Sequence, residues 1–185
     1  FSPDGTRVAY VRDNNIFVKS LKFGSTSQVT FDGKENEIIN GIPDWVYEEE
    51  FGYNKAFWWS PDSKFVAFVR FNETNVPEFT MPMYAGVTPV LEENKVYPGE
   101  YTFKYPKAGE TNSEVTVNVY EIRSKTTITV DIGEKTDIYI PRLKWTPDAN
   151  DLVVMRLNRR QNTLDVLYAN PYTGDSRPVI TEKND

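Results

Sequence analysis

Three stretches of the chain repeat one pattern of apolar and polar positions. Phe1-Ser2-Pro3-Asp4-Gly5-Thr6-Arg7-Val8-Ala9-Tyr10-Val11-Arg12 aligns with Trp59-Ser60-Pro61-Asp62-Ser63-Lys64-Phe65-Val66-Ala67-Phe68-Val69-Arg70. A looser copy is Trp145-Thr146-Pro147-Asp148-Ala149-Asn150-Asp151-Leu152-Val153-Val154-Met155-Arg156. Each has an aromatic residue, a Pro-Asp turn, an apolar run and a closing Arg. Pro presets φ for the turn, and Asp can accept a hydrogen bond from nearby backbone. In the run, Val8 and Tyr10 alternate with Ala9 and Val11, and Val66 and Phe68 with Ala67 and Val69. A strand apolar on both faces is predicted to lie in a sheet packed between two others. Further strands are predicted at 16–21, 115–122 and 164–168, with outer strands at 28–31 and 126–130.

This order of turns and strands predicts an all-β fold of antiparallel four-stranded blades, part of a β-propeller. The repeats start 58 and 86 residues apart, against roughly 40–50 for an uninterrupted blade. Two insertions account for the excess. The first, 32–56, carries an acidic motif; the second, 72–114, is broken by Pro77, Pro82, Pro89, Pro98 and Pro106. The predicted division is a blade part at 1–31, the acidic insertion, a blade at 57–130 that carries the second insertion as an extended arm, and a blade part at 138–185. That is about three blades, whereas a closed ring takes typically 4–8. The chain also opens inside a repeat, without Met. It is therefore expected to be an internal piece of a longer protein that completes the ring.

Composition narrows the chemistry. The 185 residues are 39% hydrophobic and carry a net charge of -6, so no basic face is available to displace counterions from nucleic acid. There is no Cys and no His, which excludes disulfides, the usual zinc sites and a Ser-His-Asp triad within the chain. No catalytic residue, metal ligand or cofactor is expected here. No apolar run approaches the roughly 20 residues that span a bilayer.

The segment Asp44-Trp45-Val46-Tyr47-Glu48-Glu49-Glu50-Phe51 places three consecutive carboxylates among aromatic residues. Asp44 after Pro43 is a good helix N-cap, and first-turn carboxylates suit the helix dipole. One reading is a solvated acidic turn. The other is a clamp for a primary ammonium, in which two carboxylates accept two of its three protons. In a helical turn Glu49 and Glu50 lie about 100° apart and can both reach one cation. Glu48 is expected to face solvent or pair locally.

The same segment, followed by Phe57-Trp58-Trp59-Ser60-Pro61 and by Tyr105-Pro106-Lys107-Ala108-Gly109-Glu110-Thr111-Asn112, resembles the dipeptidyl peptidase IV family of the prolyl oligopeptidase clan. Asn40-Gly41-Ile42, Phe71-Asn72-Glu73-Thr74 with Val76-Pro77, and Arg159-Arg160-Gln161-Asn162 extend the likeness through most of the chain. The resemblance implies an eight-bladed propeller that caps an α/β-hydrolase domain of the same parent chain. It implies a serine-type peptidase that releases N-terminal X-Pro or X-Ala dipeptides. By position, the family's substrate-binding pair falls on Glu49 and Glu50, which hold the free N-terminal amine of the peptide. The catalytic Ser, Asp and His would lie outside this chain. Between Glu50 and Trp58 the chain is one residue shorter than mammalian members, so no family contact is carried over from Phe51 to Phe57.

The second insertion is rich in aromatic residues and Met, around a polar tip at Glu92-Glu93-Asn94. It reads either as an irregular ribbon folded over its own blade or as an interface. The resemblance implies a dimer arm, assigned to Phe79, Met81, Met83, Tyr84, Tyr101 and Phe103, and hence a homodimer of the parent. Closeness to bacterial forms and the lack of Cys point to a periplasmic parent, or to a secreted or cell-surface one. The competing reading is a non-enzymatic propeller that binds peptides or partners. A downstream G-x-S-x-G with later Asp and His would separate the two.

Overall fold

The computed structural model describes residues 1–85, 94, 96–133 and 136–184. Its three Pro-Asp turns share one hydrogen-bond scheme. The hydroxyls of Ser2, Ser60 and Thr146 donate to Asp4, Asp62 and Asp148 at 2.6–2.7 Å. The same hydroxyls accept the backbone N–H of Arg7, Phe65 and Asp151. Gly5, Ser63 and Ala149 take positive φ at the equivalent turn position, 69°, 63° and 61°. Only the first copy has a residue that meets this conformation without steric cost. The shared network holds the other two.

The strands are β1 (Arg7–Arg12), β2 (Asn15–Ser20), β3 (Thr26–Gln28), β4 (Ile38–Asn40), β5 (Phe57–Trp59), β6 (Phe65–Asn72) and β7 (Glu78–Met83). They continue with β8 (Gly99–Lys104), β9 (Glu114–Glu121), β10 (Thr127–Thr129), β11 (Ile138–Trp145), β12 (Leu152–Asn158), β13 (Thr163–Ala169) and β14 (Ser176–Lys183). One short helix, α1 (Trp45–Glu49), lies between β4 and β5. The pairing is antiparallel in sheets ordered β1-β2-β3, β10-β9-β6-β4 with β5 also on β6, and β11-β12-β13-β14. β7 and β8 form a separate hairpin.

The third sheet has the four strands expected. In the second, β4 pairs with Arg70–Asn72 of β6 and β5 pairs with Val66–Phe68 of the same strand. The two are halves of one edge strand, split by the insertion that carries α1. The acidic insertion therefore contributes its own strand half, β4. In the first sheet no described residue takes the fourth position. The outer strand expected at 28–31 stops at Gln28, because the Thr30 hydroxyl accepts the Ile16 N–H at 2.9 Å in place of a ladder carbonyl.

β6 is buried on both faces as its sequence predicts. Phe65, Ala67, Val69 and Phe71 face the core shared with the third sheet, whereas Val66 and Phe68 face Ala9, Ile16 and Val18 of the first. β1 is closed on one face only: Ala9 is buried, and Val8 and Tyr10 remain half-buried. Tyr10 stacks on Phe17 across the strand pair, with ring centroids 5.6 Å apart.

Phe71 is fully buried, 4.8 Å from the Tyr47 ring of α1. Phe71→Ala is expected to cost about 3–5 kcal/mol, read by chemical denaturation. Phe79→Ala, on the hairpin and 38% exposed, is expected to cost less than about 1 kcal/mol. Equal losses would contradict this placement of the core.

Candidate functional site

A five-residue helix is too short to hold itself together in water, so α1 depends on its anchors. At its start the buried Asp44 carboxylate accepts the Tyr47 N–H at 3.0 Å and the Ser113 hydroxyl at 2.6 Å. Burial pushes the Asp44 carboxyl up, and these two hydrogen bonds oppose the shift. At its end the Glu50 N–H donates to Val46 O, Gly52 turns with φ of 65°, and the Tyr53 N–H closes on Tyr47 O at 3.0 Å.

The other anchor is the main chain of Ile140 in β11. Its N–H donates to the Tyr47 hydroxyl at 2.8 Å, and its carbonyl accepts the Tyr53 hydroxyl at 2.7 Å. The β11–β12 register shifts between Tyr139 and Arg142, so two phenols serve a backbone unit at an irregularity of the ladder. A buried backbone group left unpaired costs about 1–3 kcal/mol, which makes both hydroxyls structural. Burial pushes the pKa of both phenols up, keeping them neutral. Arg142 adds a hydrogen bond to Phe51 O at 2.9 Å and lies over the Tyr53 ring.

On this fixed frame Glu48, Glu49 and Glu50 are all exposed, as expected for Glu48. None forms an ion pair among the described residues. Two depressions flank the helix. One, of about 530 Å³, is lined by Glu48 with Asp44, Trp45, Glu73, Phe103 and Lys104. The other, of about 350 Å³, is lined by Glu50 with Phe51, Tyr105, Lys107, Tyr139 and Arg159. Glu49 and Glu50 occupy the last helical position and the C-cap, successive positions that can serve one cation. Among the described residues no group of three or more acidic side chains has metal-binding geometry.

Among the described residues of the second insertion, β7 and β8 form a regular antiparallel pair rather than an irregular ribbon. Phe79 pairs with Phe103 and Met81 with Tyr101, while Met83 ends β7 opposite Gly99. Phe79, Met81, Tyr84 and Tyr101 are exposed, and Met83 and Phe103 are half-buried. Of the tip, Glu92 and Glu93 lie outside the described residues. The hairpin's root meets the helix directly, with Tyr105 edge-on to Trp45 at 4.4 Å between centroids. Arg159 pairs with Asp137 at 3.1 Å and donates to Glu110 O on the connection between β8 and β9.

Sequence reading missed Tyr47, Tyr53, Ser113, Arg142 and Glu73. Asp44 and Ser113 are 69 positions apart and Tyr53 and Ile140 are 87 apart, and no local pattern marks such pairs.

Comparison with known proteins gives a consistent set of relatives. The model of the dipeptidyl peptidase IV (DPP IV) N-terminal region matches residues 1–185. A probable dipeptidyl peptidase 4 of Aspergillus fumigatus is 40% identical over 171 residues, which is 90% of this chain and 22% of that protein. A probable dipeptidyl-aminopeptidase B of Podospora anserina is 39% identical over 175 residues, 90% of this chain and 18% of that protein. The crystal structure of Porphyromonas gingivalis dipeptidyl peptidase 4 superimposes with a TM-score of 0.91 at 46% identity. It covers all of this chain, which spans 25% of that one. The chain thus spans about a quarter or less of the length of these relatives.

Glu73 at the hairpin root is 6% exposed and makes no side-chain hydrogen bond among the described residues. Burial, with the Asp44 charge adding and Lys104 opposing, pushes its carboxyl from 4.5 up to about 7. The folded chain therefore holds a proton there that the unfolded chain has already lost between these values. This stabilising contribution is complete below 4.5 and is lost as pH rises through 7. Glu73→Gln should gain stability relative to the parent sequence by of order 1 kcal/mol between pH 5 and pH 8, after solvent screening. Thermal melts at the two pH values test this, and a constant difference would contradict it.

Proposed function

The chain belongs to the dipeptidyl peptidase IV family, and from that membership we propose that it is the substrate-anchoring portion of a β-propeller in a serine dipeptidyl peptidase. Glu49 and Glu50 receive the free N-terminal ammonium of a peptide. The adjoining α/β-hydrolase domain supplies the Ser, Asp and His that cut after the second residue, Pro or Ala. The observation that supports this most is the contrast around α1. Its frame is buried and pinned at both ends, yet successive carboxylates stand free on its surface. A structural acidic turn needs no such frame.

Fixed carboxylates contribute by orientation as well as attraction. With the amine held, the scissile bond sits at a set distance from the nucleophile, and freedom of motion is removed before the chemical step. Each charge-assisted hydrogen bond contributes about 1.5–3 kcal/mol. The hydrolase domain excludes water from the helix surface and strengthens these contacts. The exposed face of the β7–β8 hairpin, with Phe79, Met81, Tyr84 and Tyr101, is the dimerisation arm of the parent protein.

In the full-length protein, Glu49→Gln and Glu50→Gln should each lower kcat/KM for an X-Pro substrate by about 10- to 150-fold. Steady-state kinetics on a chromogenic X-Pro amide reads this. Unchanged kcat/KM in both variants would remove the anchoring role.

A further inference from the structure

Glu49 and Glu50 sit between two attachments of different origin. The Asp44–Ser113 bond fixes the start of α1 to the second sheet, just before β9. The Tyr53–Ile140 bond and the Arg142–Phe51 bond fix the exit segment to the third sheet. Gly52 lies between the carboxylates and Tyr53, at a positive φ and with open space where a Cβ would stand. Nothing packs against that position, so steric contact there does not hold the exit of the helix. The exit is held on either side of Gly52, by the Tyr53–Ile140 and Arg142–Phe51 hydrogen bonds together with the ring contacts of Phe51 and Tyr53.

We propose that Tyr53 is a positioning residue for the amine site, acting through Gly52 and Phe51 to set where Glu49 and Glu50 stand relative to the third sheet. The inference rests on the anchoring role given above. Tyr47 is a poorer candidate for separating position from stability. It is 2% exposed and packs against Phe71, Tyr53 and Phe51, so its loss would disturb the core itself. Among the described residues the Tyr53 hydroxyl makes a single bond, to Ile140 O. Removing it leaves the ring packed against Tyr47 and Trp58. What changes is the registration of the helix exit on β11. A displacement near 1 Å at a substrate-positioning group can cost up to 100-fold in rate.

A purely structural hydrogen bond of similar kind provides the control. The Trp145 Nε1–H donates to Trp58 O at 3.1 Å, joining the third sheet to the second without touching the helix. In the full-length protein, Tyr53→Phe should lower kcat/KM for an X-Pro substrate about 10-fold, mainly through KM. Trp145→Phe should leave kcat/KM unchanged although it lowers the melting temperature at least as much. Placed on the Glu49→Gln, Glu50→Gln double variant, Tyr53→Phe should add no further loss, since both groups it positions are already disabled.

Equal losses in Tyr53→Phe and Trp145→Phe, or full additivity with the Glu49→Gln, Glu50→Gln double variant, would overturn the proposal. So would wild-type kinetics in Tyr53→Phe while Glu50→Gln is impaired, and then the anchoring role would survive. Wild-type kinetics in Glu49→Gln and Glu50→Gln would overturn both.

Discussion

The main chain of Ile140, held between two tyrosine hydroxyls, is the interaction on which the acidic helix depends. A five-residue helix has too few internal hydrogen bonds to repay its nucleation. α1 borrows the order of two sheets instead. Tyr47 and Tyr53 bring large apolar bodies to the core and spend their polar tips on one backbone unit of β11. The buried Asp44 carboxylate is likewise occupied, by the Ser113 hydroxyl. Because each of these groups is buried, any displacement leaves a donor or acceptor unpaired, and the helix has one well-defined position.

The same insertion explains the shape of the second sheet. β4 and β5 are two halves of an edge strand on β6, and α1 grows from the break between them. An excursion from the middle of a paired strand has both ends fixed within a few residues. Its outward face can then carry charge at little cost to the core. Trp45 against Tyr105 extends the frame to the root of the β7–β8 hairpin, so the acidic helix and the hairpin share one aromatic contact.

The sequence made some of this legible. The Pro-Asp repeats carry their hydrogen bonds within five residues, and their turns appear where Ser2, Ser60 and Thr146 predict them. β6, with Val66 and Phe68 on one face and Ala67 and Val69 on the other, shows its double burial in its spacing. A cap, a helix period and a family resemblance single out Glu49 and Glu50, and the structure shows them exposed on the short helix. What stayed hidden depends on long-range pairing. Ser113, Tyr53 and Ile140 have nothing local to report, and the regular hairpin of β7 and β8 was obscured by prolines that an exposed two-stranded ribbon tolerates. Thr30 ended β3 early by replacing a backbone acceptor with its hydroxyl, a substitution that propensity does not register.

The decisive quantity is the free energy that the substrate's amine contributes at this helix. Calorimetry on the full-length protein would compare a non-cleavable dipeptide-like inhibitor with its analogue lacking only the α-amine. In the wild type the amine is expected to tighten binding by more than about 10-fold, and in the Glu49→Gln, Glu50→Gln double variant that advantage should disappear. An amine advantage of the same size in both proteins would contradict the assignment of Glu49 and Glu50 as its receptor.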